Sequence, residues 1–255
     1  MSNLDYKAII ALLKSEDETN HELGFQLLES LGVVPNHELA QLVSKQPQYL
    51  LRSLRNGWGD LLELVRKLEF RYQPIAALPS NLNLLKNLEI LSMSHCTLSE
   101  IPKEIGQLTK LERLILNYNT LNDIPEEVGQ LKKLIELSLV GSGLDEFPTC
   151  ILDLPNLEIL SLIDNQISNL PKGLIHLEGL KKLILRGNSL SEVPMELCML
   201  ENLEILDLSE NNIQRLPGAL SVLQNLKILY LSRNPLNKSE QEKVRNILPN
   251  TVIHI

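Results

Sequence analysis

Proline recurs at a fixed interval of 23 residues over most of this chain. The prolines that keep the interval are Pro79, Pro102, Pro125, Pro148, Pro171, Pro194 and Pro217. A period of about 20 to 50 residues is the sequence signature of architectures that stack equivalent units. The interval therefore predicts a solenoid before any local propensity is considered.

Leucines define the content of each unit. Aligned on the prolines, the chain repeats L-x-x-L-x-L-x-x-N-x-L-x-x-L-P-x-x-I-x-x-L, most clearly from Leu203 to Leu223. The L-x-L segment has the period of a strand with one buried face. The spacing of three after the proline fits short helical or 3₁₀ turns, with proline at their first position. Further copies start at Val65, Leu88, Leu111, Leu134, Leu157, Leu180 and Leu226.

These units predict an α/β fold. No unit can bury its apolar face alone, so neighbours are expected to stack into one parallel sheet with the returns on its other side. Eight strands at the usual spacing make a sheet about 35 Å across. The bulkier return layer bends it into a right-handed solenoid with a curved parallel β-sheet, whose concave face carries the variable residues.

The repeat resembles that of the leucine-rich repeat family. Its 23-residue form, with Leu-Pro followed by I-x-x-L, is similar to the intracellular class of Ras-pathway scaffolds and plant Ras-group-related proteins. The resemblance covers eight repeats over residues 65–238. It implies the fold, whereas a fold does not by itself fix an activity.

An asparagine column follows the strands. A buried Asn can donate to and accept from backbone groups that have no partner in the sheet. Three positions of the column hold other residues, Gln73, Cys96 and Ser142. Cysteine and serine are small and can still donate, so we expect them to continue the hydrogen bonds of the column. Gly141-Ser142-Gly143 should be the most deformable rung. The asparagines are Asn119, Asn165, Asn188, Asn211 and Asn234.

Residues 1–64 lack the repeat and are expected to form three or four short helices. Asn20 and Asn36, the second after Pro35, precede apolar runs of helical period, and Gly32 is a stop signal. The segment resembles the leaders of bacterial leucine-rich repeat proteins. We expect it to cap the first strand as an α-helical N-terminal cap; a separate partner-binding module is the alternative.

Residues 239–255 are expected to close the solenoid. Ser239 to Glu242 reads as an S-x-x-E capping box that starts a helix. The segment from Thr251 to Ile255 is apolar and β-branched, which predicts a final strand. No further domain is expected after it.

Composition and cysteine usage predict a cytoplasmic protein. Neither a signal peptide nor a membrane span is expected, because no basic start precedes an apolar run and no apolar stretch approaches about 18 residues. Cys96, Cys150 and Cys198 are dispersed over three repeats. An odd number of scattered cysteines indicates free thiols in a reducing compartment.

No motif for catalysis is present in the sequence. It contains no Walker loop, dinucleotide fingerprint, H-E-x-x-H or paired C-x-x-C, which are the signatures of phosphate, dinucleotide, zinc and redox chemistry. His21-Glu22 and His37-Glu38 lack a second histidine four residues on. We therefore expect neither an enzyme, a metal site nor a cofactor.

The variable columns around the strands are balanced in charge. They hold nine basic and nine acidic residues, so the net charge of -8 resides elsewhere. Binding to nucleic acid requires a basic stripe, which is missing. Neither nucleic acid nor a membrane is expected as a partner.

Two features of the concave face are candidates for recognition. Tyr72, His95 and Tyr118 stack rings on successive strands, and exposed tyrosines are common in binding hot spots. An apolar patch in the middle repeats is the second. Shielding of the turn and ordinary strand propensity are the alternatives. The predicted binding residues are Tyr72, His95, Ile115, Asn117, Tyr118, Val140, Ile159, Ile163, Asp164, Ile184, Arg186 and Tyr230.

The function expected from the sequence is a non-catalytic module that binds a protein partner on this face, with a monomer favoured. A rigid sheet presents preformed side chains, so little ordering entropy is lost on binding. The family resemblance supplies an alternative, the substrate-recognition or regulatory arm of an enzyme complex such as a ubiquitin ligase, small GTPase or phosphatase.

Overall fold

The computed structural model describes residues 3–33, 36–121 and 123–255. Pro35, which the sequence places before a helix start, lies outside them. The helices are α1 (Asn3–Leu13), α2 (Glu18–Leu31), α3 (His37–Lys45), α4 (Pro47–Arg55), α5 (Gly59–Leu62) and α6 (Lys238–Ile247). The strands are β1 (Lys67–Arg71), β2 (Ile90–Ser94), β3 (Arg113–Ile115), β4 (Glu136–Ser138), β5 (Ile159–Ser161), β6 (Lys182–Ile184), β7 (Ile205–Asp207), β8 (Ile228–Tyr230) and β9 (Val252–His254).

The strands form one parallel sheet whose spatial order follows the chain from β1 to β9. From β1 to β8, residues 23 apart lie opposite each other, as in the pairing of Leu91 with Leu114 and of Leu114 with Leu137. The sequence interval is therefore the register of the sheet. The expected final strand is confirmed as β9, where Ile253 pairs with Leu229.

Leucines of the L-x-L segments fill the space behind the sheet. Leu206 and Leu208 are fully buried, and one continuous core extends from Ile9 in α1 to Val244 in α6. Helix α3 packs against β1, so the N-terminal helices cover the first strand and shield its edge. No described helix is long and apolar enough to cross a bilayer.

A 3₁₀ turn follows each proline of the period and brings the chain back, from Ser80–Leu84 in the first return to Gly218–Val222 in the last. The prolines themselves are extended, with φ -64° and ψ 138° at Pro217. Proline thus precedes the turn and does not occupy its first position as expected. The reason is that the proline carbonyl accepts the first hydrogen bond of the 3₁₀ turn, as at Pro217, where it accepts from the N–H of Leu220 at 3.2 Å.

The helix starts differ from expectation at two places. Helix α2 begins at Glu18 and is capped by Asp17, which accepts from the N–H of Thr19 at 2.9 Å, so Asn20 lies inside the helix. Asn36 is confirmed as the cap of α3. Gly32 is confirmed as the stop of α2, with φ 80°.

The predicted cap of the C-terminal helix, Ser239, lies two residues after the cap that the structure shows. Asn237 caps α6 by accepting from the N–H of Glu240 at 2.9 Å. The carboxylate of Glu240 in turn accepts from the N–H of Leu216 and from Nζ of Lys243, both at 2.8 Å. This contact with the preceding repeat, invisible to a local motif, sets the start of the helix.

An arginine braces the N-terminal helices. The guanidinium of Arg52 in α4 lies 4.7 Å from the ring centre of Phe25 in α2 and donates to Glu22 at 2.6 Å and to Glu29 at 2.8 Å. These hydrogen bonds hold the pKa of both glutamates below its ordinary value. Within residues 3–33 and 36–64, five helices precede the sheet, where three or four were expected.

The asparagine column satisfies the backbone as expected. The amide of Asn119 donates to the carbonyls of Met93 at 2.7 Å and Leu116 at 3.0 Å, while its oxygen accepts from the N–H groups of Cys96 and Leu98. The donation to two carbonyls recurs at Asn165, Asn188, Asn211 and Asn234, and each amide oxygen again accepts from a backbone N–H.

The substitutes in this column behave differently from each other. Sγ of Cys96 donates to the carbonyl of Phe70 at 3.5 Å, which continues the ladder. Oγ of Ser142 is buried without a partner among the described residues, so the expectation is wrong there. Serine is too short to reach the carbonyls that an asparagine amide contacts. At this position the ladder loses its side-chain hydrogen bonds, while the N–H of Ser142 still donates to Oδ1 of Asn165 at 3.1 Å.

Candidate functional site

Three rings stack at the ends of the first three strands. The centroids of Tyr72 and His95 are 4.7 Å apart with an interplanar angle of 22°, and those of His95 and Tyr118 are 4.4 Å apart at 13°. Tyr72 is 68% and Tyr118 47% exposed. The column read from the sequence therefore exists as a continuous ring stack that is open to solvent.

A left-handed backbone conformation holds this column, which sequence reasoning missed. Tyr72, His95 and Tyr118 have φ of 56°, 55° and 54°. Such a conformation costs a non-glycine residue about 1 to 3 kcal/mol and persists only where its surroundings impose it. Glycines recur in the same column, at Gly141 and Gly187, and were the available signal. Non-glycine members further along are Asp164, Glu210 and Arg233.

Hydrogen bonds across the sheet impose the conformation. The N–H of Tyr72 donates to the carbonyl of Ser94 at 3.1 Å, that of His95 to Asn117 at 2.9 Å, and that of Tyr118 to Val140 at 2.6 Å. The ladder thus continues past the strands into the turn, and each ring leaves the sheet in a fixed direction.

Both ends of the ring stack are closed within the chain. The guanidinium of Arg71 lies 5.6 Å from the ring centre of Tyr72. At the other end Tyr118 lies over Gly141, where an added Cβ would be 2.8 Å from Cδ1 of the tyrosine. The ring faces are therefore covered, and the stack offers its edges and hydroxyl groups.

The apolar patch is less continuous than expected. Ile115, Ile159, Ile163 and Ile184 are half-buried on the face, but Val140 is only 7% exposed and is no part of it. In the central column Ser138 and Ser161 separate Ile115 from Ile184. The alternation of side chains within one strand does not reveal this burial.

The remaining predicted residues are spread over the sheet. Oδ1 of Asn117 accepts from Oγ of Ser138 at 2.7 Å and from the N–H of Val140 at 3.0 Å. Asp164 is exposed in the left-handed column, and Arg186 pairs with Glu210 at 3.0 Å. Tyr230 is far along the chain and stacks on His254 of β9, with ring centroids 4.7 Å apart.

Charges on the face are largely matched between neighbouring repeats. Such exposed pairs contribute little to stability, but they leave the face without a broad field of either sign. The pairs and their distances are Arg66 with Glu89 at 2.6 Å, Arg113 with Glu136 at 2.6 Å, Lys181 with Glu158 at 2.8 Å, Lys227 with Glu204 at 2.6 Å and Arg233 with Glu210 at 2.7 Å.

The cysteines are buried in the returns and the turn. Burial raises the pKa of the Cys150 and Cys198 thiols to about 11. Because the thiolate is the nucleophile, these groups are unreactive near neutral pH. Over residues 3–33, 36–121 and 123–255, no group of three or more His, Cys, Asp or Glu side chains could hold a metal ion.

Two family models match the repeats. The leucine rich repeat model covers residues 178–236, and the leucine-rich repeat region model covers residues 53–143. The fold is that of a leucine-rich repeat solenoid. No curated protein sequence is significantly similar to the chain.

Solved leucine-rich repeat structures agree with this fold. A leucine-rich repeat protein of Leptospira interrogans is 30% identical, with a TM-score of 0.71, and the match covers 86% of this chain and 62% of that one. An internalin of Listeria monocytogenes is 20% identical, with a TM-score of 0.70 and coverage of 85% and 63%. The chain thus spans less than two thirds of the length of either bacterial protein.

A plant structure also matches in part. The leucine-rich repeat ectodomain of the membrane receptor kinase GASSHO1/SCHENGEN3 from Arabidopsis thaliana is 29% identical, with a TM-score of 0.58. The match covers 75% of this chain and 26% of that one. That ectodomain was solved in complex with Casparian strip integrity factor 2.

Proposed function

We propose that this protein is a non-catalytic interaction module that binds a protein partner on its concave sheet face. The observation that carries the proposal is the exposed ring stack of Tyr72, His95 and Tyr118. Its rings are held by the backbone and by each other, so they lose little entropy on binding. The recognition face comprises this stack with Ile115, Asn117, Ile159, Ile163, Asp164, Ile184, Arg186 and Tyr230.

Leucine-rich repeat structures with bound partners support this proposal. The Arabidopsis ectodomain was solved with Casparian strip integrity factor 2, and a plant peptide hormone receptor of similar fold, RGFR1, was solved in complex with RGF2. Tyrosine, an enriched residue of binding hot spots, is exposed on the face of this chain. A proteinaceous partner is therefore the ligand class we assign to it.

We also propose a setting for this interaction. The three cysteines are free and buried, which suits a reducing compartment such as the cytoplasm. The 23-residue unit fits the intracellular repeat class, and the Leptospira likeness favours a bacterial source. Residues 1–64 act as the N-terminal cap, residues 65–238 as the recognition solenoid and residues 239–255 as the C-terminal cap.

Capture from a host lysate with paired variants tests the proposal. Tyr118→Ala combined with Ile163→Asp removes a ring and places a charge on the face, and we expect loss of the strongest partner with a nearly unchanged melting temperature. The matched control is Met195→Ala with Met199→Ala, which alters exposed apolar side chains (58% and 61%) on the returns, opposite the sheet.

The readout is the partner recovered by each form, identified by mass spectrometry. Partners that survive the change at Tyr118 and Ile163 would contradict binding on the concave face. Loss in the control alone would place the contact on the returns. An enzyme activity that copurifies with the partner would indicate the arm of an enzyme complex.

A further inference from the structure

A shallow groove of about 340 Å³ lies beside the ring stack on the same face. It crosses β1, β2 and β3 near the ends of the strands where the rings project. Its floor contains two serines, and its rim contains one arginine, one glutamate and one asparagine. The lining residues are Glu69, Phe70, Arg71, Ser92, Ser94, Ile115 and Asn117.

The polar groups of this groove that lack partners are able to donate. Within the described parts of the chain, the hydroxyl groups of Ser92 and Ser94 make no hydrogen bond. Nδ2 of Asn117 is also without an acceptor there, whereas its Oδ1 is occupied by Ser138 and Val140. Free hydroxyl and amide N–H groups beside an arginine can donate to a ligand that carries acceptor oxygens.

Charge points to the same ligand chemistry. Glu69, the acid of the groove, is paired with Lys67 at 2.9 Å. The guanidinium of Arg71 forms no ion pair among residues 3–33, 36–121 and 123–255 and rests near the Tyr72 ring. By contrast, Arg66, just before β1, and Arg113 in β3 are each matched by a glutamate. The groove therefore carries an uncompensated positive charge.

We propose that this groove binds an aspartate or glutamate side chain in an extended segment of the partner. The inference rests on the proposed function, because it names what the recognition face recognises. The carboxylate accepts from Arg71, in the geometry that guanidinium and carboxylate favour, and from the free donors of Ser94 and Asn117.

A side chain fits this position better than a chain end. Ile115 extends the surface on one side of the groove and the ring stack extends it on the other. A partner that uses both must continue past the groove in both directions. The carboxylate then belongs to a residue within the segment, and Ile115 takes an apolar neighbour of that residue.

A peptide selection tests the inference. Random peptides long enough to cross β1 to β4 are displayed and selected on the wild-type protein and on Arg71→Gln. We expect the wild type to enrich one acidic position and the variant to lose that preference. The best acidic peptide should bind Arg71→Gln about tenfold more weakly, the size of one charge-assisted contact, measured by fluorescence polarisation.

Two further variants sharpen the test. Asn117→Asp keeps the acceptor for Ser138 and Val140 but replaces the free donor by a carboxylate, so it should also weaken the acidic peptide. Arg233→Gln is the matched control, since Arg233 is exposed on the same sheet but paired with Glu210 at 2.7 Å; it should leave the acid preference intact. Melting temperatures check that each variant folds.

Peptide variants decide among the outcomes. Changing the acidic residue to its amide should cost as much as Arg71→Gln, and the two losses should not add, as expected for directly coupled groups. Loss of binding on amidation of the peptide C-terminus instead would overturn the side-chain assignment. No enrichment of any peptide would overturn the inference as well.

One further comparison separates this inference from the proposed function. Peptides without an acid preference that still require Tyr118 and Ile163 would overturn the groove assignment and leave the recognition face standing. Peptides whose binding is unchanged by Arg71→Gln and by the changes at Tyr118 and Ile163 would contradict both the groove assignment and the recognition face.

Discussion

At the scale of single residues, the left-handed column explains why the rings are presented so regularly. A position with positive φ suits glycine, yet tyrosine or histidine occupies it on three successive repeats with φ near 55°. The backbone is held there by hydrogen bonds from one repeat to the next. Strain in the turn thus accompanies an orderly display of side chains, as is common at functional sites.

Gly141 provides a test of this display. Alanine there meets both a positive φ of 57° and a Tyr118 ring carbon 2.8 Å from the new Cβ. We expect Gly141→Ala to lower the free energy of unfolding and to displace the Tyr118 ring. The matched control is Gly143→Ala, with φ 78° and no described atom within 4 Å of the added Cβ, which carries only the backbone cost of about 1 kcal/mol.

Urea unfolding measures both variants, and capture of the partner reports the ring position. Equal losses of stability at the two glycines would contradict the contact between Tyr118 and Gly141. Unchanged capture by Gly141→Ala would separate the ring position from binding.

At the scale of elements, the start of α6 distinguishes a local motif from a tertiary contact. Asn237→Ala removes the side chain that caps the helix and should cost about 1 kcal/mol. Ser239→Ala should cost little, because Ser239 lies within the helix and makes no capping bond. Unfolding midpoints in urea compare the two, and a larger cost at Ser239 would restore the capping box read from the sequence.

At the scale of the whole molecule, stability depends on an unbroken stack. Each unit contacts only its neighbours, so a gap in one core layer weakens two interfaces. Leu160 in β5 is fully buried, and Leu160→Ala should cost about 2 to 5 kcal/mol. That is a large share of a typical total of about 5 to 15 kcal/mol.

Chemical denaturation of the full chain measures this cost. The control is Ser161→Ala, the next residue, which lies on the opposite side of the strand and is half-buried; little change is expected. A loss below about 0.5 kcal/mol at Leu160, the range of ordinary surface changes, would mean that the inward column is misassigned.

Much of the candidate site can be predicted from the sequence, because rings that lie 23 residues apart must stack once the register of the sheet is known. Tyr72, His95 and Tyr118 were found in this way. Their left-handed backbone was not, although the glycines of the same column pointed to it. Alternation along one strand predicts that Val140 is exposed, yet it is buried, because alternation does not report contacts with the rest of the chain.

The sequence by itself determined the repeat, the register, the leucine core and the return turns, because burial of one face is a pattern written along the chain. Only the tertiary structure decided that Asn237 caps α6, that Val140 is buried, that Gly141 closes the ring stack and that Arg71 finds no acidic partner among the residues that the structure describes. These features depend on which groups meet across neighbouring repeats. Contacts of that kind depend on how two repeats pack against each other, and the sequence of one repeat does not specify that packing.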